Sequence, residues 1–182
     1  MPDLPPDPAV ALLLHLIDEA FDQKAWHGPN LRGPLRRIKA ATAAFRPALG
    51  RHNVWEHAVH AAYWKYTVRR RITGEDRGSF PLKGSNWFTR PDPAVHPDDW
   101  EVAWKADLAL LDDTHRRLRA AVASFDPSQL HVIPEGAKLS HLRTISGIAL
   151  HDVYHAGQIA LLKRLAATAA GPAAAPTRKR KG

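Results

Sequence analysis

The stretch SHLRTISGIALHDVYHAGQIALLKRLAAT, residues 140–168, decides the fold class. Leu142, Ile145, Ala149, Val153, Ala156, Ala160 and the stem of Lys163 form one row at helical spacing, and Ile148, Ile159 and Leu162 widen it. A helix apolar over so much of its circumference belongs in the middle of a bundle. Ser140 is placed to cap its start. Gly147 and Gly157 are costly inside a helix, which predicts that another backbone or a ligand comes close to them. At the centre stand His151 and His155, one turn apart on a shared face and roughly 6 Å apart along the axis. That is the spacing with which a His-x-x-x-His pair grips one divalent metal. Two hydrogen-bonded core histidines would show the same spacing, and 11 histidines in the chain make such a pair easy to reach by chance.

Working outward, three more long helices are predicted. Asn53 and Glu56 make a capping-box pattern. The helix they open runs to about Ile72, stops before Gly74, and carries Val54, Trp55, Val59, Ala62, Tyr63, Tyr66 and Val68 on its apolar face. His57, His60 and Trp64 share another face of it, and Arg69, Arg70 and Arg71 suit the negative end of its dipole. Nearer the N-terminus, Val10, Leu13, Leu14, Ile17 and Phe21 predict a helix from about Ala9 to Lys24, broken at Trp26-His27-Gly28-Pro29. A short helix through Leu31, Leu35 and Ile38 follows, with Pro34 in its first turn and Arg32, Arg36, Arg37 and Lys39 facing water.

The remaining long helix is expected from about Asp99 to Phe125, capped through Asp98 and Glu101. Its apolar side holds Trp100, Val102, Trp104, Leu108, Leu111, Leu118 and Val122; Asp112, Asp113, Arg116, Arg117 and Arg119 are its wet side. Residues 129–138 read as a loop with a brief extended pair at Val132-Ile133. Residues 75–97 show no periodicity and are rich in Gly and Pro. They hold Phe80, Trp87 and Phe88, which need burial, so this segment is expected to lie across the bundle as a flap. Four long helices with few strand signals predict an all-α bundle. The expected organisation is a flexible N-terminus over 1–8, the bundle over 9–168 and a disordered basic tail over 169–182.

Composition narrows the chemistry. The 182 residues suffice for one core. With no cysteine, disulfides, thiolate metal sites and a cysteine nucleophile are excluded, and any transition-metal site must be built from imidazole and carboxylate. No apolar run is long enough to span a bilayer, and the opening residues do not read as a secretory signal, so the expected compartment is the cytoplasm. Of the formal charge of +8, half sits in Arg178-Lys179-Arg180-Lys181. The modest surplus elsewhere is read as solvated surface, and nucleic acid is disfavoured as a partner.

Three imidazoles from two neighbouring helices would leave a coordination position open, the arrangement of catalytic sites. His151 and His155 supply two; the third comes from His60 or His57, which spacing does not separate. His27, His57, Tyr63, Trp64 and Gln158 are candidates for the pocket wall, and Asp152 reads as a supporting or surface carboxylate.

The chain resembles the DinB-like superfamily over about residues 10–166. The likeness is carried by Leu-Leu-His-Leu-Ile-Asp-Glu-Ala-Phe with Ala-Trp-His-Gly-Pro-Asn-Leu, by Val-Trp-Glu-His-Ala-Val-His-Ala-Ala-Tyr-Trp-Lys-Tyr, and most specifically by His-Asp-Val-Tyr-His-Ala-Gly-Gln-Ile-Ala-Leu-Leu-Lys-Arg-Leu. The resemblance implies a four-helix bundle with long crossover connections and one divalent cation held by His60, His151 and His155. It thereby favours His60 over His57. It further implies a homodimer and, in some members, a transferase or isomerase that uses a low-molecular-weight thiol whose pKa the metal lowers. The family's link with DNA damage concerns when some members are made and implies no DNA binding. The expected function is that of a metal-dependent transferase or hydrolase acting on a small molecule, with zinc, nickel, iron or manganese as the cation. A non-enzymatic bundle that binds a small ligand and keeps a vestigial metal site is the alternative.

Overall fold

A computed structural model describes residues 7–170. The N-terminal residues 1–6 and the basic tail from 171 onward, on which two of the expectations above fall, lie outside the described residues. Six helices and no strand are present among those described: α1 (Pro8–Phe21), α2 (Arg32–Leu35), α3 (Ala40–Ala43), α4 (Val54–Thr73), α5 (Trp100–Ala123) and α6 (His141–Ala169).

The helix starts follow from local chemistry. Asp7 accepts from the amides of Ala9 and Val10 ahead of Pro8, and Ser140 accepts from the Arg143 amide. Asn53 and Glu56 close the expected capping box, and Gly74 ends α4 with φ 74°, a left-handed turn that glycine enters without steric cost. The Asp98–Glu101 cap is not formed. A 3-10 turn over Pro97–Asp99 leads into α5, His96 caps that turn, and Glu101 reaches across the bundle to accept from the Ala40 amide at 2.9 Å. The segment read as one short helix is two single turns separated by Arg37, whose φ of 61° a continuous helix would not allow.

The four long helices pack as a ring in the order α1, α5, α4, α6. Two apolar clusters stack along it. The first holds Trp55, Ala58, Trp104, Leu111, Ile159 and Leu162; the second holds Leu13, Ile17, Val68, Leu118, Ile145 and Ile148. Along α4 and α5 the chain passes from the first cluster to the second, and along α1 and α6 from the second to the first. The neighbours α4 and α5 therefore run parallel, and the chain must return the length of α4, about 30 Å, between them. That return is the long crossover over 75–97.

A polar layer divides the clusters. Lys65 and Asp152 form a buried ion pair between α4 and α6, each side chain only 1% exposed. The Lys65 ammonium also lies 4.9 Å from the Phe21 ring, whose face is stacked on His115 at 3.6 Å. The sequence reading placed Asp152 as a supporting or surface group; it is fully buried, because Lys65 offers the charge that allows it. Three further expectations are corrected. Val102 is 71% exposed, at the edge of the α5 stripe. Val132 and Ile133 are exposed and in no strand. A Cβ at Gly147 or Gly157 would meet nothing within 4 Å among the described residues, so neither glycine marks a close approach by this chain's own backbone.

Candidate metal centre

The antiparallel pairing of α4 with α6 sets His57 against His155 and His60 against His151, one rung apart. His60 Nε2 lies 3.1 Å from His151 Nε2, and His155 Nε2 lies 3.1 Å from that same atom. The three residues form a cluster whose ligand atoms all lie within 4.8 Å of one another. His57 comes to His155 through the other edge of the ring, Nδ1 to Nδ1 at 3.0 Å, and stands outside the cluster.

The ring protons follow from the partners. His60 Nδ1 lies 2.8 Å from the Asn86 carbonyl, which can only accept, so His60 carries its proton on Nδ1 and turns a lone pair on Nε2 inward. His155 can donate from Nδ1 to His57 and likewise aim a lone pair inward. His151 Nδ1 is buried without a partner among the described residues. Burial draws the basicity of all four imidazoles down. His57 falls to about 3, with the charges of His155, His52 and His60 adding to burial. His151 also falls to about 3, through burial and then His155 and His60. For His155 the result is about 4, burial and His60 outweighing Gln158, which acts in the opposite sense. His60 is lowered by burial against the raising effect of the Asn86 carbonyl. At neutral pH these are uncharged donors, the form a metal requires.

The donor set fits a cation. A tetrahedral ion with bonds of about 2.0–2.1 Å holds its ligand nitrogens about 3.3 Å apart, within a few tenths of the 3.1 Å that separates His151 from each of its two neighbours, with the third pair inside 4.8 Å. Inward lone pairs at that distance are unfavourable unless a proton or a cation lies between them. Imidazole ligands commonly donate their second ring nitrogen to an oriented acceptor; Asn86 serves His60 in this way, and His57 is placed to serve His155.

The sequence model of the DinB superfamily matches residues 24–159, which include all three clustered histidines. The chain belongs to the DinB superfamily. A search of curated proteins and a search of solved structures each returned no match. The helical bundle of this DinB superfamily chain agrees with the expected fold class.

Around the cluster, the crossover does cover the bundle, through the expected Phe80, Trp87 and Phe88 and through Asn86, which no sequence signal marked. Trp87 stacks on His60 at 3.9 Å and on His52 at 3.6 Å, and meets His57 edge-on at 5.2 Å. Asn86, at φ 64°, also accepts from Trp64 Nε1 through Oδ1 at 3.0 Å. Phe88 is buried and packs with Phe80 against Tyr63. The crossover is pinned beyond Phe88 by the buried Glu56 carboxylate, which accepts from the Arg90 amide, from the Arg46 guanidinium and from the Asn53 amide, with His52 Nδ1 at 3.0 Å.

The predicted wall residues divide. Trp64 lies 6.3 Å from the His60 ring and 6.2 Å from His151. Gln158 hydrogen-bonds the Tyr154 hydroxyl and borders, with His57 and His155, a cavity of about 470 Å³. Tyr63 faces Phe80 and Phe88 rather than the imidazoles. His27 is not part of the site: it is exposed in the turn after α1, since Gly28 with φ 110° turns the chain there before Leu31 packs into the core.

Proposed function

We propose that this protein holds one divalent cation, zinc, nickel, iron or manganese, on His60, His151 and His155, and acts as a metal-dependent transferase or hydrolase on a small molecule. The observation that carries this reading is the meeting of the His60, His151 and His155 imidazoles, with His60 fixed from behind by Asn86 and His155 set against His57. When bound, the cation would supply Lewis acidity, lowering the pKa of a thiol or water at the centre. The chain's own part is to hold the rings rigid and to limit water. Trp87 covers His60, and His57 stands against His155 Nδ1. The cavity of about 470 Å³ beside His57 and His155 offers a place for the small molecule, with Leu161, Leu162 and Leu165 on one side and Arg51 and His52 on another.

A low-molecular-weight thiol is the proposed co-substrate and a second copy of the chain the proposed partner. Leu150, Tyr154, Leu161 and Leu165, all exposed on α6, support the second of these. No helix among the described residues is long and apolar enough to cross a membrane. The alternative, a ligand-binding bundle without catalysis, is favoured by the apolar side of that same cavity.

Elemental analysis of untagged protein, purified without added metal, tests the centre. Near one equivalent of metal is expected, lost in His60→Ala and His151→Ala. A ratio near zero that reconstitution does not raise would end the proposal. A thiol-transfer screen separates the two readings: turnover that His151→Ala abolishes excludes the non-catalytic one.

A further inference from the structure

A second cavity, of about 590 Å³, lies between the end of α4 and residues 77–86 of the crossover. Its volume falls in the range of about 300–1,000 Å³ typical of small-molecule sites. Tyr63, Trp64 and Phe80 give it aromatic walls. Arg70, Arg71, Arg77 and Lys83 border it, and no carboxylate does. Among the described residues none of these four cations forms an ion pair. Glu75, the acid that follows α4, gives its carboxylate to Arg69 and its backbone carbonyl to Arg70. Glu75, Asp76 and Glu135 border the adjoining cleft without pairing with Arg70, Arg71 or Arg77.

The helix dipole accounts for Arg70 and Arg71, which stand in the last turn of α4. It does not account for Arg77 and Lys83, which the crossover brings from outside the helix to the same cavity. Four like charges around one concavity repel one another and concentrate positive potential there. The aromatic wall is fixed in place: Trp64 donates to Asn86 Oδ1, and the Arg71 guanidinium lies 6.0 Å over the Trp64 ring. Charge to be neutralised on one side and flat apolar surface on the other describe a single kind of guest.

We propose that this cavity binds a small organic anion with a planar body and two or more negative charges, such as an aromatic dicarboxylate. The ligand's charged groups lie among Arg70, Arg71, Arg77 and Lys83, and its ring lies against Trp64 and Phe80. The site needs no metal, so it stands or falls apart from the imidazole centre.

Isothermal titration calorimetry on the full chain, dialysed against chelator and held at low salt, tests this with naphthalene-2,6-dicarboxylate as the probe. One-to-one binding is expected, weakened at least about tenfold in Arg71→Ser/Arg77→Ser and by high salt. The neutral dimethyl ester should not bind. Both arginines are exposed, so the fold should survive, and circular dichroism checks that it does. The charge-matched variant Lys24→Ser/Arg164→Ser, altered at exposed positions elsewhere, should bind as the wild type does. The proposal is overturned if the wild type does not bind the dianion at low salt, or if the Arg71/Arg77 variant binds it equally well. It is also overturned if a DNA duplex binds in a manner lost with Arg71 and Arg77 while the dianion does not.

Discussion

Replacing Asp152 by asparagine should destabilise the bundle by about 3–5 kcal/mol, the cost of leaving a buried charge without its partner. The magnitude follows from the surroundings of Lys65. Its ammonium is buried, and Asp152 is the carboxylate it pairs with. The Phe21 face returns at most about 2 kcal/mol as a cation–π contact. His115, stacked on that ring, is held uncharged by burial and by the charges of Lys65 and Arg119 and offers no negative charge. Burial raises the Asp152 carboxyl against the pull of Lys65, and taking two charges out of water costs about as much as their attraction returns. Lys65→Met/Asp152→Leu, which removes both charges, should therefore lie within about 2 kcal/mol of the wild type or above it. Urea unfolding of metal-free protein at neutral pH measures both. With a slope of about 2 kcal/mol/M, the single variant should lose roughly 1.5–2.5 M in midpoint. A loss below about 1 kcal/mol for Asp152→Asn, with unchanged slope, would refute the claim that Lys65 depends on Asp152. A double variant as unstable as the single one would refute the asymmetry.

His57→Phe should retain the cation but bind it about 10–100-fold more weakly, because His155 loses its orienting partner; competition with a chromophoric chelator measures this, and unchanged affinity would count against the pairing. The His115 imidazole, lowered by burial to about 3, stays uncharged in the fold while the unfolded chain takes up a proton near 6.5. Its contribution is thus complete above about pH 6.5 and is lost as pH falls toward 3, at up to about 1.4 kcal/mol per pH unit. His115→Phe should flatten the acid limb of stability against pH by that slope, and a limb of the same steepness in both proteins would contradict the assignment. Gly147→Ala and Gly157→Ala should each stabilise by about 0.5–1 kcal/mol, since no described residue of the same chain crowds either position and both are helical; thermal unfolding of dilute protein reads this directly, and destabilisation would mean that a second copy or another partner packs there.

The amino-acid sequence by itself determined the four long helices, most of their ends and the pairing of His151 with His155 on one face. These depend on contacts within a turn or two, which periodicity and caps record. Spacing left His60 and His57 open and the resemblance favoured His60; the place of His57 behind His155 needed the register of α4 against α6. Spacing puts both histidines on the same face, and only packing aims one through Nε2 and the other through Nδ1. The same holds for Lys65, whose burial depends on Asp152 facing it from another helix, and for Glu101, whose partner is the amide of Ala40 rather than its own helix start. Trp87 was legible only as an apolar group in need of burial and Asn86 not at all, because an aperiodic crossover acquires its role from the path it takes over other elements. Local order is written along the chain; a site assembled from two helices and a loop is fixed only when their relative positions are.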